Sequence, residues 1–505
     1  MPLLIARRCD PRGWAVRAIG ARGGEPNGAE IATVAAMPGE GHDQRNGWLA
    51  RWRTDILLVL LILVVAGPIV QILMAHQASR LAFTAALWDR STVQVDAYEE
   101  ILGVDFAERD GHLYSDKAPG QPFLAAPFYG MARGIGAETG EVRRYFDNYT
   151  LWWTSFWSSV VPAAVLAVLM RRFALQVVGS PVAATAAAVT MSLGTLLLPF
   201  ATVLFSHVLA AVLCFGAYLT GREQGASNWR LAAAGLLGGL AVVTEYTTGI
   251  VVVLLGLLVA HRHGVRVFAY AAGGLPAAAL LGVYNTVAWG SPTAFSYDFS
   301  ATFADFHDRG LFGIRIPDPG LTMQVLVGER GLWTLTPVVL VGVLGLILLA
   351  RDRATRGPGV FGLVVFAAFV AVQGGWFSVT AGASPGPRYV VAGLPFVAVG
   401  VARIWTFSRA AVVLPAVLGA IPMLASIFTN PLAQPTEDFA AGHWLWRLSN
   451  GDLGDTLLTP HLPDPYAQIV QLLIAAVVLT MLCLQPITHR PRQTVRSPRP
   501  MGQKQ

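Results

Sequence analysis

The chain has 505 residues, 54% of them hydrophobic and 13% charged, with a mean hydropathy of +0.53. That composition excludes a soluble globular domain and predicts an all-α polytopic membrane protein. The net charge of +6 does not signal nucleic acid, because the arginines fall in short clusters between apolar runs, which is the footprint of membrane topology.

Residues 1–50 are rich in Gly, Ala and Arg without apolar periodicity, and read as a disordered cytoplasmic tail, or as an over-long start with Met37 as the true beginning. Apolar runs able to span a bilayer follow near 55–75, 150–170, 181–198, 203–220, 267–289, 332–350, 360–378, 389–405, 410–428 and 467–485. The stretch 231–260 is either one long helix or a hairpin broken at Thr244-Glu245-Tyr246-Thr247-Thr248-Gly249. Charge decides for the hairpin. With about 12 transmembrane helices, Arg51/Arg53, Arg171/Arg172, Arg222/Arg230, Arg262/Arg266, Arg351/Arg353/Arg356 and Arg403/Arg409 all fall on the cytoplasmic side, as does the basic tail 486–505. The segments 76–149, 290–331 and 429–466 then lie outside. The chain divides accordingly into the tail 1–50, a transmembrane core 51–428 with the outer loop 76–149, an outer loop plus last helix over 429–485, and the tail 486–505. Within the first loop, Pro122 to Arg133 reads as a short amphipathic helix at the interface. Trp152, Trp153 and Trp157 mark an aromatic belt. Cys9, Cys214 and Cys483 lie in the tail or in apolar runs, so no disulfide framework is expected.

Ionisable groups at membrane depth are costly, so each needs an explanation. His207 follows the Leu198-Pro199-Phe200 break. Glu245 and Tyr246 sit at the hairpin break, and Arg388 and Tyr389 where the next-to-last core helix begins. All are at outer helix ends, the side that also holds Asp116 and Lys117. Lys117 is one of two lysines in the chain, the other being Lys504. A compact ammonium there fits a site, although snorkelling at a membrane surface would also place a lysine there. Taken singly, a capped histidine, a turn-bound glutamate and a snorkelling arginine explain themselves. Their convergence on one face predicts a shared outward-facing polar cavity. No metal-ligand spacing, Walker loop or dinucleotide fingerprint is present. No cofactor is called for, and a divalent metal is left open. A donor that lives in the membrane, a polyprenyl-phosphate sugar, has a leaving group that needs cations rather than an acid, while an acceptor hydroxyl needs a base.

Gly111-His-Leu-Tyr-Ser-Asp-Lys-Ala-Pro-Gly-Gln-Pro-Phe-Leu resembles the Gly-x-x-Tyr-x-(Glu/Asp)-Lys-x-Pro stretch in the first outer loop of GT-C glycosyltransferases, nearest the family-39-like group that includes protein O-mannosyltransferases and aminoarabinose transferases. Gly386-Pro387-Arg388-Tyr389 is a second match as specific as the loop motif, and weaker ones are Ser79-Arg80 with Asp96, Gly290-Ser291-Pro292 with Tyr297, and Gly331 to Pro337. The resemblance implies an inverting transfer of a mannose- or arabinose-like sugar to an acceptor glycan, lipid or protein outside the plasma membrane. It implies that Lys117 contacts the lipid phosphate, and Arg388 and Arg80 are expected to help hold it. His207, Glu245, Tyr246, Tyr389 and Tyr114 would line the substrate pocket. The acid expected after the first span is missing, since that place reads Met74-Ala75-His76-Gln77. Asp116 and Asp96 are therefore the candidate catalytic bases, ahead of Asp105 in its charged run. A helix cap is the plain alternative for Asp96, and an ion pair with Lys117 for Asp116. The alternative from a different class is a lipid or solute transporter with an outward-facing polar pocket.

Overall fold

The structure, a computed structural model, describes residues 40–136, 149–307, 310, 313–434, 436, 437 and 439–484. The readings of 1–39 and 486–505 as tails therefore lie outside the described residues. The chain divides into two units, Met1–Ala50 and Arg51–Gln505. Apart from the first turns of α1 (Glu40–Ala66), the elements below belong to the second unit.

The fold is almost wholly helical, because in a bilayer only internally hydrogen-bonded helices satisfy the backbone of these Leu-, Val- and Ala-rich runs. After α2 (Ala75–Asp89) come two short strands and α3 (Gly120–Gly134), the expected amphipathic helix, with Gln121, Ala125, Tyr129 and Ala132 on its buried face. The bundle continues as α4 (Tyr149–Val178), α5 (Pro181–Leu193), α6 (His207–Gly221), α7 (Asn228–Thr244), α8 (Gly249–His263) and α9 (Val267–Trp289). It closes with α10 (Val338–Arg351), α11 (Arg356–Gly374), α12 (Leu394–Trp405), α13 (Ala410–Phe428), α14 (Ala440–Ser449) and α15 (Tyr466–Cys483).

Among the described residues, six helical stretches are long and apolar enough to cross a membrane, or seven if the bent pair Pro319–Leu335 and Val338–Arg351 forms one span. About twelve were expected. The six take Tyr246–Trp289, which holds both α8 and α9, as one stretch and leave out the shorter apolar helices. Ser180-Pro181 and Gly194 trim α5 to 13 residues, while α6, α7 and α10 have 15, 17 and 14. All are shorter than the roughly 20 residues of a full span. The segment 231–260 does break, with α7 and α8 joined through a single 3-10 turn, Tyr246–Thr248. α9 then folds back on α8, and Tyr270 donates its hydroxyl to Val252 O at 2.9 Å.

The core helices have two distinct ends. α6 and α8 run toward Arg222 and Arg262, and Arg262 donates to Arg222 O. Arg266 reaches Asn228 at the start of α7 at 2.7 Å, and Arg230 pairs with Glu223 at 2.8 Å. Arg171 and Arg172 of α4 hold the buried carboxylate of Asp55 from α1 at 2.6 and 2.8 Å. The opposite ends of α6, α7 and α12 bring His207, Glu245 and Arg388 together, as the charge pattern predicted.

Close helix pairs meet through glycine faces, where small residues let backbones approach. Gly345 of α10 lies against Gly400 of α12, and a Cβ added to Gly345 would collide with the Gly400 carbonyl. Gly345→Val is expected to destabilise the protein by about 1–3 kcal/mol or more through overpacking, read as a lower unfolding midpoint in detergent.

Candidate functional site

The site is built first by a β-hairpin. β1 (Ala107–Arg109) pairs antiparallel with β2 (His112–Tyr114), with Arg109 opposite His112. The two turn residues, Asp110 (φ 53°) and Gly111 (φ 78°), both adopt the left-handed backbone of a two-residue hairpin turn, which Asp-Gly is suited to. Asp105 precedes β1 and Asp116 follows β2, so the antiparallel pairing returns the chain from one to the neighbourhood of the other. Lys117 then reaches both carboxylates, Asp116 Oδ2 at 2.8 Å and Asp105 Oδ1 at 3.1 Å.

α2 supplies the next layer. Ser79 Oγ lies 2.8 Å from Ser115 Oγ and donates to Asp116 Oδ1 at 3.4 Å. One turn position along, Arg80 is 2% exposed and donates through one Nη to Ser206 Oγ at 2.9 Å. Ser206 in turn donates a hydrogen bond to Glu245 Oε2 at 2.8 Å, and His207 Nδ1 lies 3.4 Å from that same oxygen. The loop over the cluster is fastened by Ser296, which donates to Asp116 O at 2.8 Å. Tyr246, Phe295 and Tyr297 form an aromatic group beside it, with ring centroids 5.2 and 5.6 Å from Tyr246. Tyr389 packs edge-on to His207 at 6.0 Å and to Trp376 at 5.1 Å, and the Arg388 guanidinium lies 5.3 Å from the Tyr389 ring.

The cluster is closed, with Asp116 1% and Lys117 9% exposed. Burial pushes the Asp116 carboxyl above the ordinary carboxylate range, against the pull of the Lys117 ammonium, and Asp105 adds to the rise. A cavity of about 580 Å³ does exist elsewhere, between α13, α14 and α15, but it is lined mostly by apolar residues and shares none of the cluster's side chains.

Lys117, Asp116, Arg80, Arg388, His207, Glu245, Tyr246 and Tyr389 are thus brought to one place. Two sequence candidates are not. Asp96 is exposed at the foot of the hairpin, where its carboxylate accepts Leu113 N–H at 2.8 Å and approaches His112 Nδ1 at 3.3 Å. Tyr114 packs beneath the hairpin, 5.0 Å from the Trp289 ring, with its hydroxyl taking a long bond from Gln94. Asp96→Ala is expected to loosen the hairpin by about 1 kcal/mol, read as a lower unfolding midpoint in detergent. Sequence reasoning underrated Asp105 and gave no role to Ser206. The signal for Asp105 was the Asp110-Gly111 turn.

The described part of the chain is a polytopic helical membrane protein with a buried ionic cluster at one end of its bundle. It is similar to two solved membrane proteins. Against ArnT from Cupriavidus metallidurans bound to undecaprenyl phosphate, identity is 13%, coverage 87% of this chain and 71% of that one, and the TM-score 0.47. Against the archaeal oligosaccharyltransferase AglB from Archaeoglobus fulgidus, in complex with an inhibitory peptide and a dolichol-phosphate, the values are 12%, 88%, 61% and 0.45. The chain therefore spans about three-fifths of AglB's length. No protein-family model and no curated protein matches the chain.

Proposed function

We propose that the protein moves a sugar from a polyprenyl-phosphate donor to an acceptor hydroxyl on the extracytoplasmic face of the plasma membrane. One observation carries this reading. Arg80 Nε and Nη1 and Arg388 Nε are buried donors without a protein partner, beside a lysine that spends only two of its three donors on carboxylates. Buried donors of charged groups are normally satisfied, so these fit a ligand with several anionic oxygens. A phosphate carried on a lipid reaches such a site from the membrane, without soluble nucleotide.

The chemistry follows from the neighbours. The bond between the sugar's anomeric carbon and the phosphate oxygen breaks, and the departing phosphate keeps the electron pair, stabilised by Lys117, Arg80 and Arg388. The acceptor oxygen attacks from the opposite face, giving inversion, and its proton passes to Asp116. Asp105 shares Lys117 with Asp116 and so keeps the lysine in place. His207, Glu245, Tyr246 and Tyr389 bound the sugar. A mannose- or arabinose-like donor is the first to try.

The test is photocrosslinking with a diazirine-bearing polyprenyl-phosphate mannose or arabinose in proteoliposomes. Label on peptides that contain Lys117 or Arg388, competed away by unlabelled lipid phosphate, supports the reading. Label confined to the lipid-facing surface of the bundle sinks it.

A further inference from the structure

His76 occupies the first turn of α2, 8% exposed, with its ring stacked on Phe205 at a centroid distance of 3.9 Å. Its Nδ1 is buried and has no partner. The groups that act on it from each packed element are Arg80 of α2, Lys117 after the hairpin, Arg388 from the 3-10 turn before α12, and His207 of α6. The carboxylates Asp105, Asp116 and Glu245 belong to the same cluster, but they are turned to Lys117 and Ser206. His76 thus packs on Phe205, whose chain neighbour Ser206 takes the Arg80 hydrogen bond, on the cationic side of the site.

We infer that His76 is a further ligand of the donor's phosphate and that it takes up a proton when the phosphate binds. The inference rests on the lipid-phosphate reading above. The cluster sets three basic side chains, Arg80, Lys117 and Arg388, beside three acidic ones, Asp105, Asp116 and Glu245. A phosphate diester adds one negative charge to a buried site, where an uncompensated charge is costly. One proton on a group facing that phosphate restores the balance. Burial and the surrounding cations hold the imidazole neutral before the ligand arrives, and an anion within hydrogen-bond reach reverses that influence. Nδ1 then donates to a phosphate oxygen, a bond with no present counterpart.

The experiment uses full-length protein in nanodiscs and farnesyl methyl phosphate, a diester with a fixed single charge. Its affinity is measured between about pH 6 and about pH 8, the range in which a histidine is poised to titrate. The variants are His76→Gln and His76→Phe, the second keeping a ring to stack on Phe205. Wild-type affinity is expected to fall toward the limit of about tenfold per pH unit for one proton taken up, while both variants bind more weakly and without that slope. If the variants keep the wild-type slope, or wild type has none, His76 is not the proton acceptor and the inference is overturned with the phosphate site intact. If wild type binds no diester at any pH, the phosphate site fails and takes this inference with it.

Discussion

Lys117→Ala is expected to lower sugar transfer by about a hundred- to a thousandfold, the size found when one preorganised donor to a developing anion is removed. Among the described residues, the lysine is the one cation paired with both Asp116 and Asp105. Its loss also leaves two buried carboxylates facing each other, and breaking a buried pair costs about 3–5 kcal/mol. Transfer and thermal unfolding are therefore measured on the same preparation. Lys117→Arg separates the two effects, since it keeps the charge while replacing a compact ammonium by a planar fork that is poorly shaped for the space between Asp105 and Asp116. The arginine variant is expected to fold and still to lose most activity. Full transfer by a folded Lys117→Arg or Lys117→Ala protein would remove Lys117 from the site.

Asp116→Asn is expected to cost about a hundred- to ten-thousandfold in kcat, the range for losing a positioned base, with donor binding retained because the cations remain. Burial raises the Asp116 carboxyl, and only its ionised form accepts a proton. The wild-type rate is therefore expected to fall as pH drops through a value above the ordinary carboxylate range, and the residual Asp116→Asn rate is expected to lack that limb. Asp105→Asn, which leaves Asp116 and Lys117 in contact, is expected to be milder. If the two variants had equal effects and Asp116→Asn kept the same acid limb, the base would lie elsewhere.

Much of the site was legible from topology. Arginine-rich helix ends fix one side of the bundle, and the breaks at Thr244–Gly249 and Gly386–Tyr389 place Glu245 and Arg388 on the other. That reasoning needs only charge and the cost of polar groups in lipid. Geometry inside the first loop was harder, because sequence distance misleads there. Asp96 looked close to the chemistry, yet its carboxylate serves the backbone of the hairpin. Asp105 looked solvated in a charged run, yet the Asp110-Gly111 turn folds it onto Lys117. The turn signal was present and was the better guide. Ser206 was invisible for another reason. A serine between Arg80 and Glu245 has meaning only once α2 and α6 are side by side. Runs of even hydropathy conceal Pro and Gly breaks, so helix lengths were harder to read than the fold class. Asp55, a single acid at the start of the first apolar run, was overlooked until α4 brought Arg171 and Arg172 to it.

The most direct test is transfer itself. Proteoliposomes holding wild type, Lys117→Arg and Asp116→Asn are given radiolabelled polyprenyl-phosphate mannose or arabinose, with a membrane extract as acceptor. The account predicts a new labelled glycoside in wild type, matched by free polyprenyl phosphate, and little in either variant. Label that crosses the bilayer still attached to its lipid, with no new glycoside formed, would contradict it and make the cluster a transport site.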